Sequence, residues 1–412
     1  MTTAGPPTKT GPLARREARL AWGLLFPTIA IVSAVVVLPL LSIFWISFKP
    51  IGLADLRPPT PVVRESLRGG PDDYVLRYRI RNSSQEEPIR NVVLTDVLPA
   101  EVLSRATPPE GCDIGRQSLV CALGDFTPGF RTDIEIPVTL AGVDEDTAEN
   151  ALEASVPVVT GDANNILTNL DFTLENFARV FDGREFWGVL GVTLFYTVFG
   201  TIGALVFGLF AAMLLNKEFR GQGILRGLYL FPYVAPVIAV AFAWIILFDP
   251  FSGSANALLK QMGVTENSIN FFGERPLALI MVTVFEIWRY FPLSFLFILA
   301  RMQSIDTDMY EAADMDGASP FQKFWYLSLP QLLGILSVLF LLRFIWTFNK
   351  FDDIFLLTGG NAGTRTLTVN VYEQAFAVSN IGAGAAVAVV IFCCLVLFSI
   401  LFFRYVSLEE GL

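Results

Sequence analysis

Two clusters of polar side chains interrupt apolar stretches of this chain: Glu286, Trp288, Arg289 and Tyr290, then Trp346, Asn349, Lys350, Asp352 and Asp353. Indole and phenol rings stack on sugar faces while carboxylates and amides bind hydroxyls, so the mixture suits a carbohydrate. Ionisable groups within apolar spans are the default lining of a solute path, and Glu286, Trp288, Arg289, Tyr290, Trp346, Asn349 and Asp353 are its candidates. A plainer reading stands beside this one: Glu286 with Arg289, and Lys350 with Asp353, have the i, i+3 spacing of pairs that neutralise one another on a helix. Arg343 reads as structural. The chain has no histidine, so catalysis and metal binding through imidazole are excluded. It also lacks a Gly-rich loop ending in Gly-Lys-Ser/Thr, so any ATP hydrolysis must occur elsewhere. No catalytic residue, metal site or cofactor is expected in this chain.

The elements that hold these clusters follow from hydropathy. The 412 residues are 53% hydrophobic, with mean hydropathy +0.54 and formal net charge −10. That is too apolar for disorder, and the acidic balance argues against a nucleic-acid binder. Six runs approach the ~20 residues that cross a bilayer: near 20–48, 187–215, 226–248, 276–300, 331–357 and 383–406. The first, behind Arg15, Arg16 and Arg19, is too long for a secretory leader, and no cleavage pattern follows Phe44-Trp45-Ile46; it reads as a retained anchor behind a cytoplasmic segment 1–19. Lys9, Lys217, Arg220, Arg226, Arg301, Lys323 and Arg404 fall on one side, which places both termini in the cytoplasm and the long segment after the first helix outside. Pro232, Pro236 and Pro292 are expected to interrupt helices at membrane depth. Gly203, Gly208 and Ala211-Ala212 suit close helix packing.

Residues 57–165 have a different texture. Tyr74–Ile80, Val92–Leu98 and Ile134–Leu140 alternate as half-buried strands do, and turn clusters separate them, which predicts a β-sandwich. Between residues 55 and 165 there are 19 acidic and 10 basic residues, so the negative charge sits almost wholly here. Cys112 and Cys121 are expected to form a disulfide if the segment is outside, with free thiols the alternative. Cys393 and Cys394 read as packing residues. The run Tyr78–Asn82, Val93–Pro99, Cys112 and Val120–Gly124 resembles the immunoglobulin-like repeat of bacterial cell-surface proteins.

The segment 311–330 is a surface element. Asp306, Asp308 and Glu311 favour a helix start, Gly317 can end that helix in a left-handed conformation, and Ser319-Pro320 can begin another. Pro330 marks the start of the next span. The product, a helix, a sharp turn and a second helix, suits docking on a soluble partner. Glu311-Ala312-Ala313, Asp316-Gly317-Ala318, Phe324, Leu327 and Leu329-Pro330 resemble the signature of inner-membrane permease subunits of ATP-binding-cassette (ABC) importers. Leu230–Pro236, Asp249-Pro250-Phe251 and Leu356–Gly360 extend the likeness across 186–406 to the branch with the maltose and glycerol-phosphate permeases. The resemblance implies a type I ABC-importer permease fold: a six-helix α-helical membrane protein, here with an inserted extracytoplasmic, Ig-like β-sandwich. It implies that Glu311, Ala312, Ala313, Asp316 and Gly317 contact the ATPase, and that the fourth and fifth spans, at Glu286 to Leu293 and Trp346 to Lys350, carry substrate contacts. The implied partners are an ATPase dimer that uses ATP and Mg, a second permease subunit, and an extracytoplasmic solute-binding protein. Two other readings remain: a surface receptor or adhesin anchored by its helices, and an ion-coupled secondary carrier.

Overall fold

The computed structural model describes all residues except 1–11, 71–72, 86, 105–108, 116, 183 and 411–412; Lys9 and the start of the N-terminal segment lie outside them. The chain divides into two compact units, Met1–Phe48 with Leu174–Leu412, and Lys49–Thr173.

The first unit is helical. Its first span runs through α1 (Pro12–Val32), a π turn at Ser33–Val37 and α2 (Leu38–Ser47). The stretch from Arg16 to Leu38 is exposed throughout, whereas α2 packs on α15 (Ile381–Glu410), with Phe44 edge-on to Phe392. After α4 (Glu175–Asp182), α5 (Arg184–Leu215) lies along α9 (Leu277–Gln303). Small residues set that approach. A Cβ on Gly208 would come within 3.1 Å of the Phe291 carbonyl oxygen, and one on Gly203 would meet the Ile287 side chain.

The run near 226–248 is not one helix. It is α6 (Gln222–Val234) and α7 (Val237–Leu247), bent by 91°. The cause is Pro236: Ala235 before it is extended (φ −62°, ψ 142°), as a residue preceding proline tends to be. Pro232 and Pro292, expected to interrupt helices, instead lie inside α6 and α9, which continue through them. Among the described residues, five helices are therefore long and apolar enough to cross a membrane, or six if the bent pair is one span. The fifth run also shifts: its span is Pro320–Phe348, so Pro330 lies in the first turn of α12 (Leu329–Phe348), not at the start of the span. α13 (Asp352–Thr358) and α14 (Leu367–Tyr372) follow, separated by a turn in which Gly359, Gly360, Ala362 and Gly363 all have positive φ. α8 (Ser254–Gln261) lies between α7 and α9.

The second unit is built of strands β1 (Pro61–Arg68), β2 (Tyr74–Asn82), β3 (Ile89–Val97), β4 (Val102–Ser104), β5 (Cys112–Ile114), β6 (Ser118–Phe126), β7 (Arg131–Leu140) and β8 (Val158–Ala163). They form two four-stranded sheets, ordered β1-β2-β7-β4 and β5-β6-β3-β8, with antiparallel pairings. Alternation supplies one shared core: Leu76, Tyr78, Ile80, Ile134, Ile136 and Val138 from one sheet, Ile89, Val92, Leu94, Leu119, Cys121 and Phe126 from the other. The segment is not wholly β. Helix α3 (Glu145–Ser155) adds Ala148 and Leu152 to the core. Cys112 and Cys121 face one another in register on β5 and β6 and are joined by a disulfide.

One polar group lies within this core. Tyr78 donates to Asp96 from the opposite sheet, and Glu65 stands opposite Tyr78 in the β1–β2 register. Burial, then the charge of Asp96, pushes the Glu65 carboxyl up to about 7.

Candidate functional site

Glu286 is fully buried on α9 and is the hub of the polar cluster in the helical unit. Its Oε1 accepts from Arg343 Nη2 at 2.5 Å and Thr347 Oγ1 at 2.9 Å, both on α12, and its Oε2 accepts from Tyr196 OH on α5 at 2.9 Å. One carboxylate thus ties three helices together. Gly200 makes room for it, because a Cβ there would sit 3.0 Å from Glu286 Cγ. Tyr290, one turn along α9 from Glu286, lies near three cations, with Arg343 and Lys350 each 4.5 Å and Arg289 5.6 Å from its ring centre. These groups, with Tyr233, Leu293 and Trp346, enclose a cavity of about 140 Å³. That is smaller than the ~300–1,000 Å³ common for ligand pockets.

The i, i+3 pair expected between Glu286 and Arg289 is not formed. Arg289 turns the other way and donates to the carbonyls of Pro232 and Ala235, at 3.2 and 3.1 Å, where the bend between α6 and α7 leaves backbone acceptors free. Arg343, 57 positions from Glu286, is the true partner, and joining α12 to α9 is its structural role. The Lys350–Asp353 pair is present at 3.7 Å, with Asp352 nearer at 3.2 Å.

The segment 311–330 has the anticipated shape. Asp306 caps α10 (Thr307–Met315), accepting from the Asp308 amide. Gly317 ends the turn at φ +77°, and Ser319 with Gln322 forms a reciprocal cap on α11 (Pro320–Lys323). A π turn at Phe324–Ser328 leads into α12. Asp314 and Lys323 bridge the two helices at 2.5 Å. Glu311, Ala312, Asp316 and Gly317 are exposed, Ala313 is half-buried, and neither acid has a partner among the described residues. Met315, Phe321 and Tyr326 add exposed apolar surface beside them.

Residues 204–408 match the family profile described as the inner membrane component of binding-protein-dependent transport systems. The chain is 37% identical over 220 residues to the inner membrane ABC transporter permease protein YcjO of Escherichia coli, an alignment covering 53% of this chain and 74% of YcjO. It is 32% identical over 232 residues to the trehalose/maltose transport system permease protein MalF of Thermococcus litoralis, covering 56% and 78% respectively. The chain belongs to this permease family. The fold agrees: a crystal structure of a bacterial ABC transporter that imports the acidic polysaccharide alginate superposes with a TM-score of 0.53 at 18% identity, covering 58% of this chain and 86% of that one. This permease is a transport subunit, not an enzyme, and ATP hydrolysis belongs to a partner.

Within the permease, the predicted path residues separate. Glu286, Tyr290 and Trp346 line the cavity. Trp288 instead packs with Trp244 and Phe285 in an aromatic cluster. Asn349 is exposed beside a second groove lined by Thr368, Val371 and Phe392. Asp353 is buried behind Lys350 and does not line the cavity. Tyr196, Thr347 and Tyr233 were not singled out by sequence. A signal existed for the first: Thr193, Thr197 and Thr201 repeat every four residues along α5, a polar stripe that Tyr196 flanks, and all four are buried. Among the described residues no group of His, Cys, Asp or Glu gathers as metal ligands would.

Proposed function

We propose that this inner-membrane permease carries a carbohydrate or related polyol through the cavity around Glu286, Tyr290 and Trp346. The observation that carries the reading is the mixture lining it: an indole and two phenols beside a carboxylate, a guanidinium and an ammonium. Rings offer stacking faces and the charged groups bind hydroxyls. Relatives named for trehalose/maltose and for sn-glycerol-3-phosphate transport support it. An ABC ATPase dimer docks at Glu311, Ala312, Ala313, Asp316 and Gly317 and supplies ATP and Mg; this chain holds no cofactor. A solute-binding protein delivers substrate, as in the alginate transporter crystallised with its substrate-bound periplasmic protein. A second permease subunit completes the path, and the exposed length of α1 suits such a partner. Both termini are cytoplasmic. The Lys49–Thr173 unit is an extracytoplasmic, immunoglobulin-like sandwich that contacts the binding protein or the partner permease.

The test is reconstitution with the ATPase and the other subunits. Glu311→Ala or Gly317→Val should leave the complex in the membrane while uptake falls well below ATP turnover; unchanged uptake in both would overturn the coupling assignment. Trp346→Ala should lower sugar uptake about two- to tenfold, the loss expected from the ~0.5–1.5 kcal/mol of one stacking contact. An adhesin or an ion-coupled carrier would leave the exposed 311–330 turn without use. Uptake driven by an ion gradient without ATP would instead support the carrier.

A further inference from the structure

The strand-rich unit is acidic, yet six of its arginines share one sheet face. All ten basic residues between positions 55 and 165 are arginine. Alternation along β1, β2 and β7 turns six of them outward on one sheet: Arg64 and Arg68, Arg77, Arg79 and Arg81, and Arg131. The only acids on these outward positions are Asp133 and Glu135, and they are engaged by Arg77 and Arg79. Arg64, Arg68, Arg81 and Arg131 are exposed and make no ion pair or side-chain hydrogen bond among the described residues.

The register makes this arrangement costly. Arg64 stands directly opposite Arg79, and Arg81 directly opposite Arg131. Like charges facing across strands destabilise a sheet. Acids that would relieve them are abundant elsewhere in the same unit; α3 and its cap alone carry Asp144, Glu145, Asp146, Glu149 and Glu153. The charge is unevenly spread: this sheet face carries six cations and two anions, and the other acids of the unit lie off it. Outward positions along a strand recur about every 6.8 Å and strands lie about 4.8 Å apart, so the face is a grid of guanidiniums at fixed spacing.

We propose that this face rests on the anionic phospholipid headgroups of the bilayer that the same chain crosses. Guanidinium binds phosphate in bidentate fashion, which explains arginine in place of lysine. The outward positions of β1, β2 and β7 hold no aromatic residue. A sugar polymer needs rings to stack on, and a protein partner is commonly anchored by buried aromatics, so a charged lipid surface fits better than either. The unit is also joined to the membrane-spanning helices at both ends, which keeps the local headgroup concentration high and lets a modest attraction set its orientation.

The experiment uses the full chain in lipid nanodiscs. Phenylglyoxal, which reacts with free guanidinium, is applied in discs of phosphatidylcholine alone and in discs rich in phosphatidylglycerol, and each arginine is read by mass spectrometry. Arg64, Arg68, Arg81 and Arg131 should react about fivefold more slowly in the anionic discs. Arg57 and Arg90, exposed outside this sheet, should not change. Protection should vanish in 1 M salt, where the screening length is about 3 Å. The triple variant Arg64→Gln, Arg81→Gln, Arg131→Gln should remove the protection of Arg68. Equal reactivity in both discs overturns the proposal. Protection that appears only when heparin is added to neutral discs also overturns it, in favour of a polyanionic glycan.

Discussion

Glu286 on α9 and Arg343 on α12 form an ion pair inside the helical unit. Both are almost fully buried, and the carboxylate also accepts from Tyr196 and Thr347. Removing one partner of such a pair strands the other charge, at a cost of about 3–5 kcal/mol, whereas replacing both with apolar groups of similar size is far milder. Glu286→Gln or Arg343→Met should therefore lower the thermal midpoint of the purified complex, and Glu286→Leu with Arg343→Met should recover most of it; singles that melt like the parent would refute the hub. Sequence gave the residue but not its partner. Spacing on one helix reports i, i+3 neighbours, and a contact across 57 positions leaves no local trace. A second titratable residue makes a pH prediction. Glu65 holds its proton more tightly folded, at about 7, than at its ordinary 4.5. The folded state thus binds more protons between those values, and this contribution to stability is lost as pH rises through that window. In Glu65→Gln that part of the slope should disappear when the unfolding of the strand-rich unit is followed against pH.

At the scale of elements, two breaks in helical geometry set the working parts. Gly317 turns the chain between α10 and α11 in a left-handed conformation, and open space surrounds its missing Cβ. Gly317→Val therefore acts through backbone strain of roughly 1–2 kcal/mol without a clash, so the turn should change shape while the helices stay folded. Circular dichroism and ATPase association should be near normal as coupling fails. The bend at Ala235-Pro236 is held by Arg289, whose two donors meet the carbonyls of Pro232 and Ala235. Arg289→Leu should cost about 1–3 kcal/mol for each carbonyl left unpaired. Its uptake should fall with its midpoint, and Arg289→Lys should restore part of both; an unshifted midpoint in Arg289→Leu would mean the bend holds itself. The surface turn was legible because its capping residues act locally. The bend was not, since three prolines carried the same local signal and only Pro236, following an extended residue, breaks the helix.

For the whole molecule, the two units carry separate duties and separate charge. Nearly all of the net −10 lies in Lys49–Thr173, and the helical unit is close to neutral, as lipid requires. The boundary was legible as a change of hydrophobic period, while the helix α3 within the strand-rich unit was hidden in an acidic stretch with little apolar content. That unit leaves and rejoins the helices through neighbouring segments. Lys49 Nζ bonds both the carbonyl and the side-chain oxygen of Asn169, at 2.5 and 2.7 Å. Arg57 and Pro58 line one cleft of about 470 Å³ with Asn164 and Ile166. Chain ends so close can be rejoined with little strain, and the helical unit keeps its own three apolar clusters. Excising residues 58–164 should therefore yield a permease that inserts and binds its ATPase. If the unit serves docking of the solute-binding protein, uptake by the shortened chain should need several-fold more binding protein to reach half its maximum while the maximum itself is kept. A fall in the maximum with unchanged binding-protein dependence would point to the partner permease instead, and a shortened chain matching the parent in both would show that transport does not need the unit.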